Sequence, residues 1–248
     1  MQKKEEILNK IKDNYRFLSF VRNQDLLNDK NFMLEVLKSN PDCYLSGNFK
    51  FKNDIEVLKF LINEKGKVFY NGFFKVPDFD DKILETNQEY KELYNTYQNL
   101  RKKNNYCRLF YNLIGVSGYE YSKISDNINL NLVTDNFILK FNSLISLLNE
   151  REQNILFLRY GLDGTKIETP EQVGKMFDVT RERIIQIERK ALRHLKVYLK
   201  TTELGSNVIN EAIKIGLCEN LSIKDITNLT KEETLTLHHM EYKKTKKM

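Results

Sequence analysis

The sequence predicts an all-α protein, a helical amino-terminal domain followed by a helix-turn-helix bundle, and three observations carry that prediction. Only 3 prolines and 10 glycines interrupt 248 residues, so few positions break a helix or demand a tight turn. Apolar residues recur at three-to-four spacing along several stretches, the period of a helix with one buried face. Hydrophobic residues make up 41% of the chain, enough apolar surface to bury cores in one or two domains. The 40 Lys and Arg against 34 Asp and Glu leave a net charge of +6, too modest to establish a nucleic-acid partner by itself.

Several function classes fall away early. Cys43, Cys107 and Cys218 are isolated and odd in number, without CxxC spacing, so neither a disulfide framework nor a zinc site is indicated and reduced, buried thiols are expected. No apolar run approaches the ~20 residues of a membrane helix. Met1 to Asp13 is charged and amphipathic without a signal-peptide core, and a cytoplasmic location away from membranes is expected. No glycine-rich phosphate loop is present, and His194, His238 and His239 lack the spaced carboxylates or cysteines of a site. No catalytic residue, metal or cofactor is therefore expected, and His194 reads as a surface residue.

Residues 1–75 read as a pair of helical repeats. Aligning Asn28-Asp29 with Asn53-Asp54, an offset of 25, places Phe32 on Val57, Met33 on Leu58, Val36 on Leu61, Leu37 on Ile62, Tyr44 on Phe69 and Gly47 on Gly72. Apolar character thus recurs where a helix would bury it. Each copy reads as a helix and a hairpin-like connection. The pattern resembles short helical repeats of uncharacterised function found in some microbial proteins, and implies stacking or scaffold rather than chemistry. Residues 76–131 read as one long helix over 82–114 and a linker. That helix carries Ile83, Leu84, Tyr90, Leu93, Tyr94, Tyr97 and Leu100 at helical spacing, followed by Arg101, Lys102 and Lys103. Tyrosines between basic residues can stack on bases, but helix packing explains the stripe more simply. Gly115 to Asn131, rich in Gly, Ser and Asn, is the expected boundary between the two halves.

The most specific signals lie in the third segment, 132–202. Asn149 can cap a helix that Glu152 closes in a capping-box-like arrangement. That helix carries Ile155, Leu156 and Leu158 inward and stops near Gly161, a residue that readily turns left-handed past a helix end. After a loop at 162–168, Thr169-Pro170-Glu171-Gln172 combines a cap, a proline at the first helical position, an acidic first turn and a reciprocal glutamine. Phe177-Asp178-Val179 reads as a turn and Thr180 as the next cap. On the following helix Ile184, Ile187, Ala191, Leu192 and Leu195 form one stripe. Glu182, Gln186, Arg189 and Arg193 lie opposite, with Arg181 and Arg183 projecting from the first turn. A recognition helix in the major groove has this layout: arginine can bond guanine bidentately, glutamine adenine, and glutamate can accept from cytosine. Lys190, Arg193 and Lys196 would add phosphate attraction. Residues 203–248 read as a small helical extension, with Val208, Ile209, Ala212, Ile213, Ile215 and Leu217 in pattern, ending in a basic tail at 243–247.

Leu147-Leu148-Asn149-Glu150-Arg151-Glu152, Leu158-Arg159-Tyr160-Gly161-Leu162 and the run from Thr169 to Leu195 together resemble region 4 of sigma-70 family sigma factors. The resemblance covers about 55 residues, and it implies binding of the upstream promoter element as double-stranded DNA and of the beta-subunit flap of core RNA polymerase. Carried over, Arg181, Glu182, Arg183 and Gln186 become base or phosphate contacts. Arg189 joins that face, and Lys190, Arg193 and Lys196 support the backbone or an adjacent activator. Leu156, Arg159 and Tyr160 become polymerase-contact candidates. The pattern departs from the family at Ile185, where primary members usually carry arginine, and at Asp178, where a turn glycine is usual. The tryptophan-containing segment that opens the downstream element is not found, and the chain has no tryptophan. Two alternatives stand beside a divergent sigma-like factor: a regulator that binds DNA without polymerase, and a helical interaction protein with a vestigial DNA face.

Overall fold

The computed structural model describes residues 4–64, 79–116 and 128–218, with Thr230, Glu233 and Thr236 beyond them. No strand occurs among the described residues. The expected all-α class is what the chain adopts, as two compact units, 1–97 and 98–248. Of the expected boundary stretch 115–131, residues 117–127 lie outside the described residues, as do the His238-His239 pair and the basic tail. The division between units falls instead within a helix, at 97/98.

The first unit opens with α1 (Lys4–Asp13), a 3-10 turn (Tyr15–Phe20), α2 (Gln24–Leu27) and α3 (Lys30–Ser39). A second 3-10 turn (Pro41–Leu45) and α4 (Ile55–Lys59) follow, the latter running on as a π turn (Phe60–Glu64). The offset of 25 is written into the caps. The Asp29 side chain accepts from the amides of Asn31 and Phe32, and that of Asp54 accepts from Glu56 and Val57. All eight helical positions paired at this offset, Phe32, Met33, Val36 and Leu37 with Val57, Leu58, Leu61 and Ile62, are buried. The partners Phe69 and Gly72 lie outside the described residues. The connection of the first copy is a 3-10 turn rather than a hairpin, pinned by Asn40 and Asn48 amides that donate to the carbonyls of Ile11 and Leu18 at 2.9 and 3.0 Å, and that of the second copy lies outside the described residues. Lysines tie successive helices together: Lys4 to Asp29 at 3.1 Å, and Lys30 to Glu56 at 2.5 Å and Asp54 at 3.4 Å.

The stretch expected as one helix over 82–114 is two, α5 (Asp81–Thr86) and α6 (Gln88–Leu113). Asn87 is extended between them, and its side chain accepts from the Tyr90 amide, starting α6 afresh. A residue that caps better than it propagates a helix wins over the periodicity there. Tyr90 and Tyr97 are buried, with Phe79 against their rings at 5.2 and 5.5 Å. The tyrosine stripe is thus core, and a nucleic-acid role for it is set aside.

In the second unit α6 meets α7 (Asp135–Ile145), where Tyr106 packs on Phe141 and Phe110 on Phe137 at 5.7 and 6.0 Å. Then come α8 (Glu150–Tyr160), α9 (Pro170–Met176), α10 (Arg181–Thr201) and α11 (Glu203–Lys214). Asn105 of α6 donates at 2.8 Å to the carbonyl of Gly161, the left-handed residue that ends α8. The extension α11 returns onto α7 through Glu211, a buried carboxylate that accepts from Lys140 at 2.7 Å and Asn136 at 2.9 Å. Lys140 holds that carboxyl below its ordinary range. Val208, Ile209, Ala212, Ile215 and Leu217 are buried, while Ile213 faces out. Cys43, Cys107 and Cys218 are free and buried, their thiols pushed up to about 12, 12 and 11 by burial. None is a ready nucleophile.

Candidate nucleic-acid interface

Helices α9 and α10 are built from the cap outward. Thr169 accepts from the Gln172 amide at 3.2 Å while the Gln172 side chain accepts from the Thr169 amide at 2.7 Å, with Pro170 in the first turn. This reciprocal box satisfies two otherwise orphaned donors. Thr180 repeats half of it on α10, accepting from Arg183 at 3.2 Å. Between the helices the chain turns at Asp178, a non-glycine residue at φ 51°. The turn lies so close to α9 that a methyl group added at Gly174 would sit 2.7 Å from the Val179 carbonyl. Glycine on α9 costs helix propensity, and the close approach requires it.

The packed side of this arrangement is a small apolar cluster of Ile155 from α8, Val173 from α9 and Ile184 and Ile187 from α10, flanked by Leu158, Phe177 and Val179. With α10 held by that stripe, Arg181, Glu182, Arg183, Gln186, Arg189, Lys190 and Arg193 are exposed and Lys196 is half-buried. The sequence-derived face is therefore gathered on one helix and turned outward. Within it Arg183 donates to the Gln186 side chain at 3.2 Å. Among the described residues, Arg181 and Arg189 have no acidic partner.

Lys190 differs from its neighbours. Its Nζ lies 2.6 Å from Glu152 of α8, a carboxylate only 3% exposed. The reading of Glu152 as the reciprocal half of a cap is corrected here. Asn149 does cap α8, accepting from the Glu152 amide at 3.0 Å, but the Glu152 carboxylate turns inward to α10. His194, expected at the surface, is half-buried, its Nδ1 3.7 Å from the second Glu152 oxygen. Burial pushes its pKa down and Glu152 opposes that shift.

The expected polymerase contacts also face inward. Leu156 is fully buried and Tyr160 is 6% exposed. Burial drives the Tyr160 phenol up to about 12, and the Arg108 guanidinium lies over its ring. Arg159 bonds Glu188 of α10 at 2.9 Å and donates to the Glu168 carbonyl. As placed, these three side chains hold α8 against its neighbours. The outward residues of α8 are Glu150, Arg151 and Asn154. Sequence reasoning missed Glu152 and Arg159 of α8 as structural partners of Glu188, Lys190 and His194 on the recognition helix, because these pairings join residues about 30 to 40 positions apart and leave no local signature.

Residues 144–197 match the family model for sigma-70, region 4. This segment is a sigma-70 region 4 domain. Its 53 most alignable residues are 58% identical to RNA polymerase sigma factor SigA of Bacillus sp, over 21% of this chain and 14% of that protein. They are 55% identical to RNA polymerase sigma factor SigA1 of Synechococcus elongatus, over 21% of this chain and 13% of that protein. The alignment thus spans about one seventh of these relatives, and no solved structure matches the chain. The matched segment takes in the last two residues of α7, all of α8 and α9 and most of α10, and α11 follows it. No described helix is long and apolar enough to cross a membrane.

Proposed function

We propose that the protein binds double-stranded promoter DNA through α10 and acts in transcription initiation as a divergent sigma-like factor that contacts core RNA polymerase. The observation that carries this reading is the outward row of Arg181, Glu182, Arg183, Gln186, Arg189 and Arg193 on a helix whose opposite face is locked into a helix-turn-helix core. A rigid helix of that width fits the major groove, where arginine pairs with guanine and glutamine with adenine, each good pair worth ~1–3 kcal/mol of discrimination. The names of the relatives, both RNA polymerase sigma factors, support the link to polymerase. The proposal places the protein in the cytoplasm, with no enzymatic activity and no cofactor. Contact with the beta flap through α8 would have to use its outward residues Glu150, Arg151 and Asn154 in place of Leu156, Arg159 and Tyr160.

A second reading, a regulator that binds DNA without polymerase, draws support from the limited span of the similarity, since the aligned stretch is only 21% of this chain. The two readings part in one experiment. Immobilised full-length protein is exposed to core RNA polymerase, and separately to a duplex carrying a sigma-type upstream element and to the same duplex scrambled. Capture of polymerase and preference for the intact element support the sigma-like reading. Preference for the element without polymerase capture supports the regulator, and failure of both rejects each.

A further inference from the structure

Two ion pairs cross from α8 to α10, and their positions give them a joint task. Between residues 184 and 195 the buried stripe of α10 is Ile184, Ile187, Ala191 and Leu195. At about 100° per residue, Lys190 and His194 fall along one edge of that stripe and Glu188 along the other. Their partners on α8, Glu152 and Arg159, stand seven residues apart, about 10 Å along the helix axis. Each helix contributes one anion and one cation, so the pairs bracket the apolar contact from both sides. Rolling α10 about its axis in either direction pulls one of them apart. The Arg159–Glu188 pair is largely enclosed, with side chains 19% and 14% exposed, and Glu152 is 3% exposed. A carboxylate so placed is costly to leave without its cation.

We infer that Glu152 is a positioning residue for DNA reading: it draws Lys190 into the domain, so that Lys190 sets the roll of the recognition helix instead of neutralising a phosphate. The inference rests on the DNA reading proposed above and divides its cationic face in two. Arg181, Arg183, Arg189 and Gln186 are left to meet the duplex, while Lys190 and Glu188 aim them.

The test compares Glu152→Gln, Lys190→Gln and the double variant in the full-length protein. The probe is the duplex that the wild-type chain enriches from a randomised pool, with affinity measured across a range of salt. A lysine that neutralises a phosphate contributes about 0.9 to the slope of log affinity against log salt. The expected result is that each single variant weakens binding about three- to tenfold, with the slope unchanged, and that the double is no weaker than either single. A slope reduced by about 0.9 in Lys190→Gln, with Glu152→Gln binding as well as wild type or better, would overturn the inference. If the wild type enriches no duplex, the DNA reading fails, and amide exchange along α10 still decides the clamp. Equal loss of protection in all three variants supports it, and protection unchanged from wild type rejects it.

Discussion

The two units use the same local devices and spend their cations differently. In the first unit Asp29 and Asp54 cap helices 25 residues apart, and Lys4 and Lys30 reach across to those caps. Those lysines are committed to neighbouring helices of their own unit. In the second unit Thr169 and Thr180 cap α9 and α10 in an equivalent way, and two cations, Arg159 and Lys190, are likewise committed. Arg181 and Arg189 of α10 are not, for neither meets an acid among the described residues. A basic residue on a helix therefore points to a ligand only after the fold's own claims on it are subtracted. Before folding, Lys190 and Arg189 are adjacent and indistinguishable; in the structure Glu152 separates them.

Phe32→Ala empties a fully buried position in the first unit and should cost that unit about 3–5 kcal/mol. Denaturant unfolding reads this, and duplex affinity should stay unchanged; a parallel loss of binding would mean that the first unit takes part in DNA reading. Arg183→Ala combined with Gln186→Ala should remove ~1–3 kcal/mol of discrimination at each position, abolishing preference for a selected duplex over a scrambled one while the thermal melt holds. Gly174→Ala drives a methyl group against the Val179 carbonyl and should lower the stability of the second unit by about 1–3 kcal/mol.

Asp178→Gly should act the other way. Relief of the left-handed strain at φ 51° should raise stability by up to about 1 kcal/mol, part of the gain being lost to the freer unfolded chain. The smallest expected effect is that of His194. Its folded-state pKa lies below the ordinary 6.5, chiefly because burial disfavours the imidazolium. The unfolded chain therefore takes up the proton first as pH falls. This contribution to stability is complete above about pH 6.5 and is lost as pH drops toward the lower folded value. His194→Asn should flatten the dependence of the unfolding midpoint between pH 7.5 and 5.5, and an unchanged dependence would remove His194 from the account.

What the sequence discloses here is what lies within one turn of chain. Thr169-Pro170-Glu171-Gln172, Thr180 and Gly161 are local signals, since cap and capped amide are at most a few residues apart, and each does what its chemistry suggests. The buried stripe of α10 is likewise legible, because periodicity alone orients a helix. The destinations of long polar side chains are not. Glu152 can return to its cap or cross to Lys190, and only the packing of α8 on α10 decides. Arg159 and Tyr160, outward in a carried-over reading, are claimed by Glu188 and by burial. Asn87 interrupts a stretch that periodicity joins, because its side-chain oxygen, accepting from the Tyr90 amide, outweighs an apolar pattern.

The central claim is that α10 reads duplex DNA. Its most direct test is selection: full-length protein is cycled against a randomised double-stranded pool, beside the variant carrying Arg183→Ala and Gln186→Ala. The account predicts that the wild type enriches a defined duplex motif and that the variant, folded to the same melting temperature, enriches none. No motif from the wild type, or the same motif from both proteins, would contradict it.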